Sequence, residues 1–134
     1  MKLDSLTLTN FRQFYGDQTV KFARDSTRNI TIICGVNGAG KTTLMTALSW
    51  CLYGQDINAS GELINKRALS ETPVGFSVEM KVQAVFVHET ERYSATRVLR
   101  ADKISEKEWS HHELPFSVTK IRADGQFQTV HNPM

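Results

Sequence analysis

Gly35-Val36-Asn37-Gly38-Ala39-Gly40-Lys41-Thr42 satisfies the pattern G-x-x-x-x-G-K-[ST] at every fixed position. Small residues let such a backbone curl until successive N–H groups point into one concavity. With the positive end of a following helix, that concavity holds a polyphosphate. Lys41 brings a point charge to the β- and γ-phosphates, and the Thr42 hydroxyl can complete the oxygen octahedron of a magnesium ion. Thr43 is one residue further on, within reach of the α-phosphate. A chance match in a chain this long is on the order of one in several hundred.

The flanks supply the setting that this chemistry needs. Asn29-Ile30-Thr31-Ile32-Ile33-Cys34 is a nearly continuous apolar run, the pattern of a strand covered on both faces, and it ends at Gly35. From Lys41 the period changes. Leu44, Ala47, Leu48, Cys51 and Leu52 recur at helical spacing, and Gly54 is placed to stop a helix of about a dozen residues in a left-handed cap. Strand, glycine-rich turn and helix therefore follow one another in the required order. The bland alternative is a glycine-rich turn that holds nothing.

Upstream, residues 3–10 read as a strand and Val20-Lys21-Phe22 as a second short one, with Tyr15-Gly16-Asp17 as the turn between them. Downstream, residues 55–75 contain Gly61, Pro73 and Gly75 and predict a loop with at most a short helical turn over 63–69. Phe76, Val78, Met80, Val82, Ala84 and Phe86 then alternate with Ser77, Glu79, Lys81 and Gln83, the clearest strand pattern in the chain. Residues 93–100 form its hairpin partner across Glu89-Thr90-Glu91. After a polar stretch around Trp109, residues 116–122 and 126–130 make a second hairpin about Asp124-Gly125.

With 134 residues, 40% of them hydrophobic and 22% charged, the chain has the size and composition of one globular domain. Cys34 and Cys51 sit in apolar segments without a C-x-x-C, which favours small buried residues in a reducing compartment over a disulfide. No apolar run is long enough to span a bilayer, and Asp4 stands where a secretory signal needs an apolar core, so a cytoplasmic location without membrane contact is expected. The net charge is only +2, and it is no basic arm of the kind that binds nucleic acid unaided. Arg92, Arg97, Arg100, Lys103 and Lys107 gather around one hairpin, as a solvated strand edge or a surface for phosphate backbone. His88, His111, His112 and His131 have no carboxylate or cysteine at metal-ligand spacing and read as solvated side chains. Trp50 and Tyr53 read as helix packing.

Three phrases together carry a resemblance: Leu6-x-Leu8-x-Asn10-Phe11-Arg12, the Gly-x-Asn-Gly-Ala-Gly-Lys-Thr-Thr loop, and Ala47-Leu48-x-Trp50-x-Leu52-Tyr53-Gly54. They resemble the start of SMC-like ATPase heads, a group that includes the motor component of SbcC-type nucleases, the RecF-like repair ATPases and DndD, the ATPase of DNA phosphorothioate systems. Asn10-Phe11-Arg12-Gln13-Phe14-Tyr15-Gly16, with the Trp-x-Leu-Tyr-Gly helix end, is most similar to the DndD type. The implied fold is α/β: the N-terminal lobe of a P-loop ATPase head of ABC type, with a mixed core sheet and an antiparallel β-hairpin subdomain, as a single lobe over residues 1–134.

The resemblance further implies ATP and magnesium as ligands, held by Arg12, Gly35, Asn37, Gly38, Ala39, Gly40, Lys41, Thr42 and Thr43, with Thr42 on the metal. Arg12 closes the first strand, where the family brings an arginine toward the phosphates; a solvated arginine is the alternative. Asn37 stands where the family approaches the γ-phosphate; a turn residue tolerating unusual dihedrals is its alternative. The family's second half carries a Walker B Asp-Glu pair and a Leu-Ser-Gly-Gly signature, and neither occurs here. No catalytic residue is therefore expected in this stretch, which reads as an N-terminal fragment. Its implied partners are the C-terminal half of its own head, a second head in an ATP-sandwiched homodimer, DNA, and DNA-modification or nuclease proteins. Gln128 is a weak fit to the family's glutamine loop.

Other P-loop classes fit less well. A GTPase needs Asp-x-x-Gly and a guanine-reading aspartate, which Asn65-Lys66-Arg67-Ala68 lacks. A small-molecule kinase needs alternating β and α units where hairpins stand. A third alternative is a binding module whose nucleotide is structural, which turnover measurements would separate from an ATPase.

Overall fold

The computed structural model describes residues 2–22, 41–54, 64–121 and 127–131. Among these, strands β1 (Lys2–Phe11) and β2 (Phe14–Lys21) precede helix α1 (Lys41–Tyr53) and the short α2 (Lys66–Glu71). Strands β3 (Ser77–His88), β4 (Glu91–Lys103), β5 (Trp109–Glu113), β6 (Ser117–Ile121) and β7 (Phe127–His131) follow. All seven strands join one sheet in the order β2-β1-β3-β4-β6-β7, with β5 beside the far end of β4. Every pairing among them is antiparallel.

The hairpins expected as an antiparallel subdomain of the lobe are thus continuous with β1 through its pairing with β3. The reason is visible in the alternation. Leu6 and Leu8 of β1 lie opposite Ala84 and Val82 of β3, and Ala84 in turn lies opposite Ala95 of β4. These side chains line one face, all fully buried, and α1 covers them with Ala47, Trp50 and Cys51. A period-two stripe running across three strands needs a single cover, and the period-3.6 stripe of α1 supplies it. The Phe11 and Trp50 rings meet at 6.2 Å between centroids where β1 ends under the helix. The strand expected over residues 29–34, which would make the sheet mixed, lies outside the described residues.

Several expectations are corrected. Tyr15-Gly16-Asp17 is not the first turn: β2 already runs from Phe14. The chain reverses earlier, at Arg12 and Gln13, where Asn10 and Arg12 take φ of 51° and 50°. Asn10 Oδ1 accepts the Gly16 N–H at 2.9 Å, which fixes this tighter reversal and leaves Gly16 inside the strand. The polar stretch around Trp109 is strand β5, recruited by β4, which is long enough to pair with β6 over one part and β5 over the other. The short helical turn expected over 63–69 is present as α2, begun at Lys66 because Asn65 caps it with Oδ1 accepting the Ala68 N–H at 3.0 Å. Tyr53 is 73% exposed and does not pack, and Phe76 precedes β3 with its ring exposed. Trp50 is buried as expected, and Gly54 stops α1 with φ of 64°.

Candidate nucleotide site

Lys41 and Thr42 open α1. Their side chains, with Gly35, Asn37, Gly38, Ala39 and Gly40, lie outside the described residues. What is described is the wall that this helix start meets. Thr43, 5% exposed, donates its hydroxyl hydrogen to Gln13 Oε1 at 2.9 Å. The end of β1 and the first turn of α1 are therefore joined by a side-chain bond.

The Arg12–Gln13 reversal is held from both sides. Asn10 Nδ2 donates to the Glu79 carbonyl at 3.1 Å, while the Asn10 carbonyl accepts the Asn65 N–H at 2.8 Å. Asn65 Nδ2 donates to the Arg12 carbonyl at 2.7 Å, so one buried carboxamide caps α2 and pins the reversal. Phe11 and Ile64 add an antiparallel bridge between the two segments. Left-handed backbone at two non-glycine residues is unfavourable by itself, and this net of bonds stabilises it.

Between the reversal and α2 lies an open cleft of about 320 Å³, lined by Arg12, Gln13, Ile64, Asn65, Lys66 and Arg67. Three cations and two carboxamides around one buried apolar residue make a lining suited to an anionic ligand with an apolar part. The far wall is braced at the surface. Tyr15 Oη donates to Glu71 Oε2 at 2.6 Å, Arg67 bonds Glu71 at 3.1 Å, and the Arg67 guanidinium lies 4.2 Å from the Tyr15 ring centroid. The hydrogen bond from Tyr15, then that from Arg67, holds the Glu71 carboxyl below its usual range, and the same Glu71 contact raises Tyr15.

Arg12 lines this cleft, and Thr43 is reached by Gln13. Sequence reasoning missed Gln13, Asn65, Lys66 and Arg67 as cleft residues. Asn65 carried a signal, an Asn three residues before the first buried position of a short helical run; Gln13 carried none. Gln128 pairs with Lys120 inside β7, away from this wall.

Of the basic hairpin residues, Arg92, Arg97, Arg100 and Lys103 lie on β4, an interior strand and not the expected edge; Arg92 and Arg100 are exposed there, Lys103 is buried, and each of the four has a partner within the fold. Arg92 meets Asp4 at 2.6 Å, and Arg97 Nε donates to the Cys51 carbonyl at 3.1 Å. Arg100 bonds Asp102 at 3.1 Å. Lys103, 9% exposed, donates to the Thr72 carbonyl at 3.0 Å. His112 sits 3.0 Å from Asp102.

The family model described as AAA domain matches residues 5–132, nearly the whole chain, and so takes in both the glycine-rich loop and the wall described here. The chain belongs to the AAA domain family. Two curated relatives match this AAA domain over parts of its length. Over 64 residues, 48% of the chain, it is 41% identical to the SbcC component of the nuclease SbcCD of Treponema pallidum (strain Nichols). Over 86 residues, 63% of the chain, it is 35% identical to the DNA replication and repair protein RecF of Acetivibrio thermocellus. The AAA domain spans 6% of the first relative's length and 21% of the second's.

Proposed function

We propose that this AAA domain is the ATP-binding N-terminal lobe of an SMC-like ATPase that works on DNA in repair or modification. The observation that carries the reading is the bond between Thr43 and Gln13, which brings the Arg12 reversal to the start of the helix that follows G-x-x-x-x-G-K-T. The cleft fits the ligand in kind. Arg12 and Lys66 offset phosphate charge, Arg67 being paired with Glu71, and the Ile64 side offers apolar surface to the rest of a nucleotide. Lys41 would hold the β- and γ-phosphates and Thr42 the magnesium, on the motif alone. ATP supplies the free energy of γ-phosphate hydrolysis when bound; this stretch binds and orients it. Hydrolysis itself falls to a carboxylate and signature loop from the C-terminal half of the head, with a second head closing over the nucleotide. The narrower affiliation with DndD-type ATPases rests on residues 10–16 and 50–54 as quoted above.

The test compares Arg12→Ala with wild type for ATP and for AMP. A guanidinium forked onto terminal phosphates predicts a selective loss for ATP of about 1–3 kcal/mol, the range for hydrogen bonds to charged groups. Equal losses for both nucleotides would place Arg12 away from the phosphates. Turnover of ATP that appears only when the C-terminal half is added in trans supports the ATPase reading; steady turnover by this lobe alone contradicts it.

A further inference from the structure

Helix α1 is a rod of 13 residues, about 20 Å long, and a rod's start lies where its end allows. Its last turn is seated on the sheet. Cys51 Sγ donates to the Val82 carbonyl at 3.4 Å and lies 3.5 Å from that of Ala95. The Gly54 N–H donates to the Trp50 carbonyl at 2.8 Å, and Arg97 Nε donates to the Cys51 carbonyl at 3.1 Å. Of the four cations on β4, Arg92 meets Asp4, Arg100 meets Asp102 and Lys103 meets Thr72. Arg97 meets the helix. Its guanidinium passes Gly54, where an added Cβ would stand 2.8 Å from the guanidinium carbon, and lies 4.5 Å from the Phe116 ring centroid. Phe116 is aimed there by a bulge. Leu99 pairs with Glu113 and Thr96 with Ser117, so residues 114–116 face only residues 97 and 98 of β4.

Resting on the nucleotide site proposed above, we infer that Arg97 is a positioning residue of that site, acting through α1. It fixes the helix end against β4 and so sets where the helix start, with Lys41, stands on the sheet. Loss of its side chain leaves the Cys51 carbonyl without this donor and removes the cation that complements the helix dipole. The helix can then rock about its central contacts, Ala47 and Trp50 on the sheet, and a stiff helix carries that motion to its start. Phe116 serves the same end by holding the guanidinium from its other side.

The experiment is a titration of the purified chain with ATP and magnesium by calorimetry, for wild type, Arg97→Met, Arg97→Lys, Phe116→Leu and Arg92→Met, with Lys41→Ala as the reference. Each variant is measured at a temperature where circular dichroism shows it folded. Arg97→Met is expected to weaken ATP about fivefold. Arg97→Lys keeps a cation that reaches the helix end, and its loss is expected to be smaller. Phe116→Leu loosens the guanidinium without removing it and is expected to weaken ATP as well, which keeps the claim testable if Arg97→Met does not fold. Arg92→Met removes the cation that meets the buried Asp4 and destabilises the same strand without touching α1, so its ATP affinity is expected to stay within about twofold of wild type. A loss in Arg92→Met equal to that in Arg97→Met would make Arg97 a stability group only and overturn the inference. ATP binding that needs Lys41 but is unchanged in Arg97→Met and Phe116→Leu would overturn this inference alone, whereas a wild-type chain that binds no ATP would overturn the nucleotide site as well.

Discussion

Arg97 Nε donates to the carbonyl of Cys51 at 3.1 Å, which ties the middle of β4 to the last turn of α1. The last carbonyls of a helix have no intrahelical donor, and a cation there also complements the helix dipole. The guanidinium is sandwiched further, its carbon 4.5 Å from the Phe116 ring centroid and against the backbone of Gly54. The helix that carries Lys41 and Thr43 at its start is therefore anchored at its end by the sheet.

Gly54→Ala is expected to destabilise the fold by about 1–3 kcal/mol, from left-handed backbone together with crowding. Its φ is 64°, and an added Cβ would lie 2.8 Å from the Arg97 guanidinium carbon. Chemical denaturation is the measurement, and an unchanged midpoint would mean that neither the cap nor the contact matters.

Asn65 separates stability from ligand binding. Asn65→Ala loses the α2 cap and should cost about 1 kcal/mol. Asn65→Asp keeps an acceptor for the Ala68 N–H but has no donor for the Arg12 carbonyl. Asn65→Asp is expected to melt closer to wild type than Asn65→Ala does, yet to bind ATP more weakly than wild type. Wild-type affinity in Asn65→Asp would show that the Arg12 reversal does not need this bond.

Cys51 sets an alkaline limit. Burial pushes its thiol up to about 11 from 9.0, an effect that nearby hydrogen bonds and Arg97 only partly oppose. The unfolded chain therefore releases this proton first, so the folded state loses stability as pH rises from about 9 to about 11. The loss attributable to this thiol is on the order of 2–3 kcal/mol across that range and absent below it. Stability measured against pH for wild type and for Cys51→Ala should diverge in slope there; parallel curves would contradict the assignment.

Lys103 illustrates what charge in the sequence leaves open. Runs such as Arg92, Arg97, Arg100 and Lys103 are written identically whether they face DNA or their own fold. The structure puts β4 in the interior of the sheet, where cations pair with Asp4, Asp102 and backbone carbonyls. Lys103→Met is expected to lower stability by about 1–3 kcal/mol, because it leaves the buried Thr72 carbonyl without its donor. Wild-type stability for that variant would return Lys103 to the surface.

Local patterns were legible where one rule acted alone. The alternation of β3, the helical stripe of α1 and the Gly54 stop follow from side-chain period and glycine's tolerance of positive φ. The first reversal was not legible, because Gly16 is the residue that propensity marks, whereas Asn10 and Asn65 decide the turn through bonds spanning up to 69 residues of sequence. Strand β5 was hidden for the same reason: it pairs because β4 outruns β6. For the candidate site, the motif marks Lys41 and Thr42, whose side chains lie outside the described residues, while Gln13 emerged only from its bond to Thr43.

Calorimetric titration of ATP with magnesium into wild type and Lys41→Ala tests the central claim most directly. The account expects the lysine's removal to weaken binding at least tenfold, about 1.4 kcal/mol, because backbone N–H groups alone do not offset a triphosphate's charge. Equal affinity in the two proteins would contradict the phosphate site, and with it the reading of this domain as a nucleotide-binding lobe.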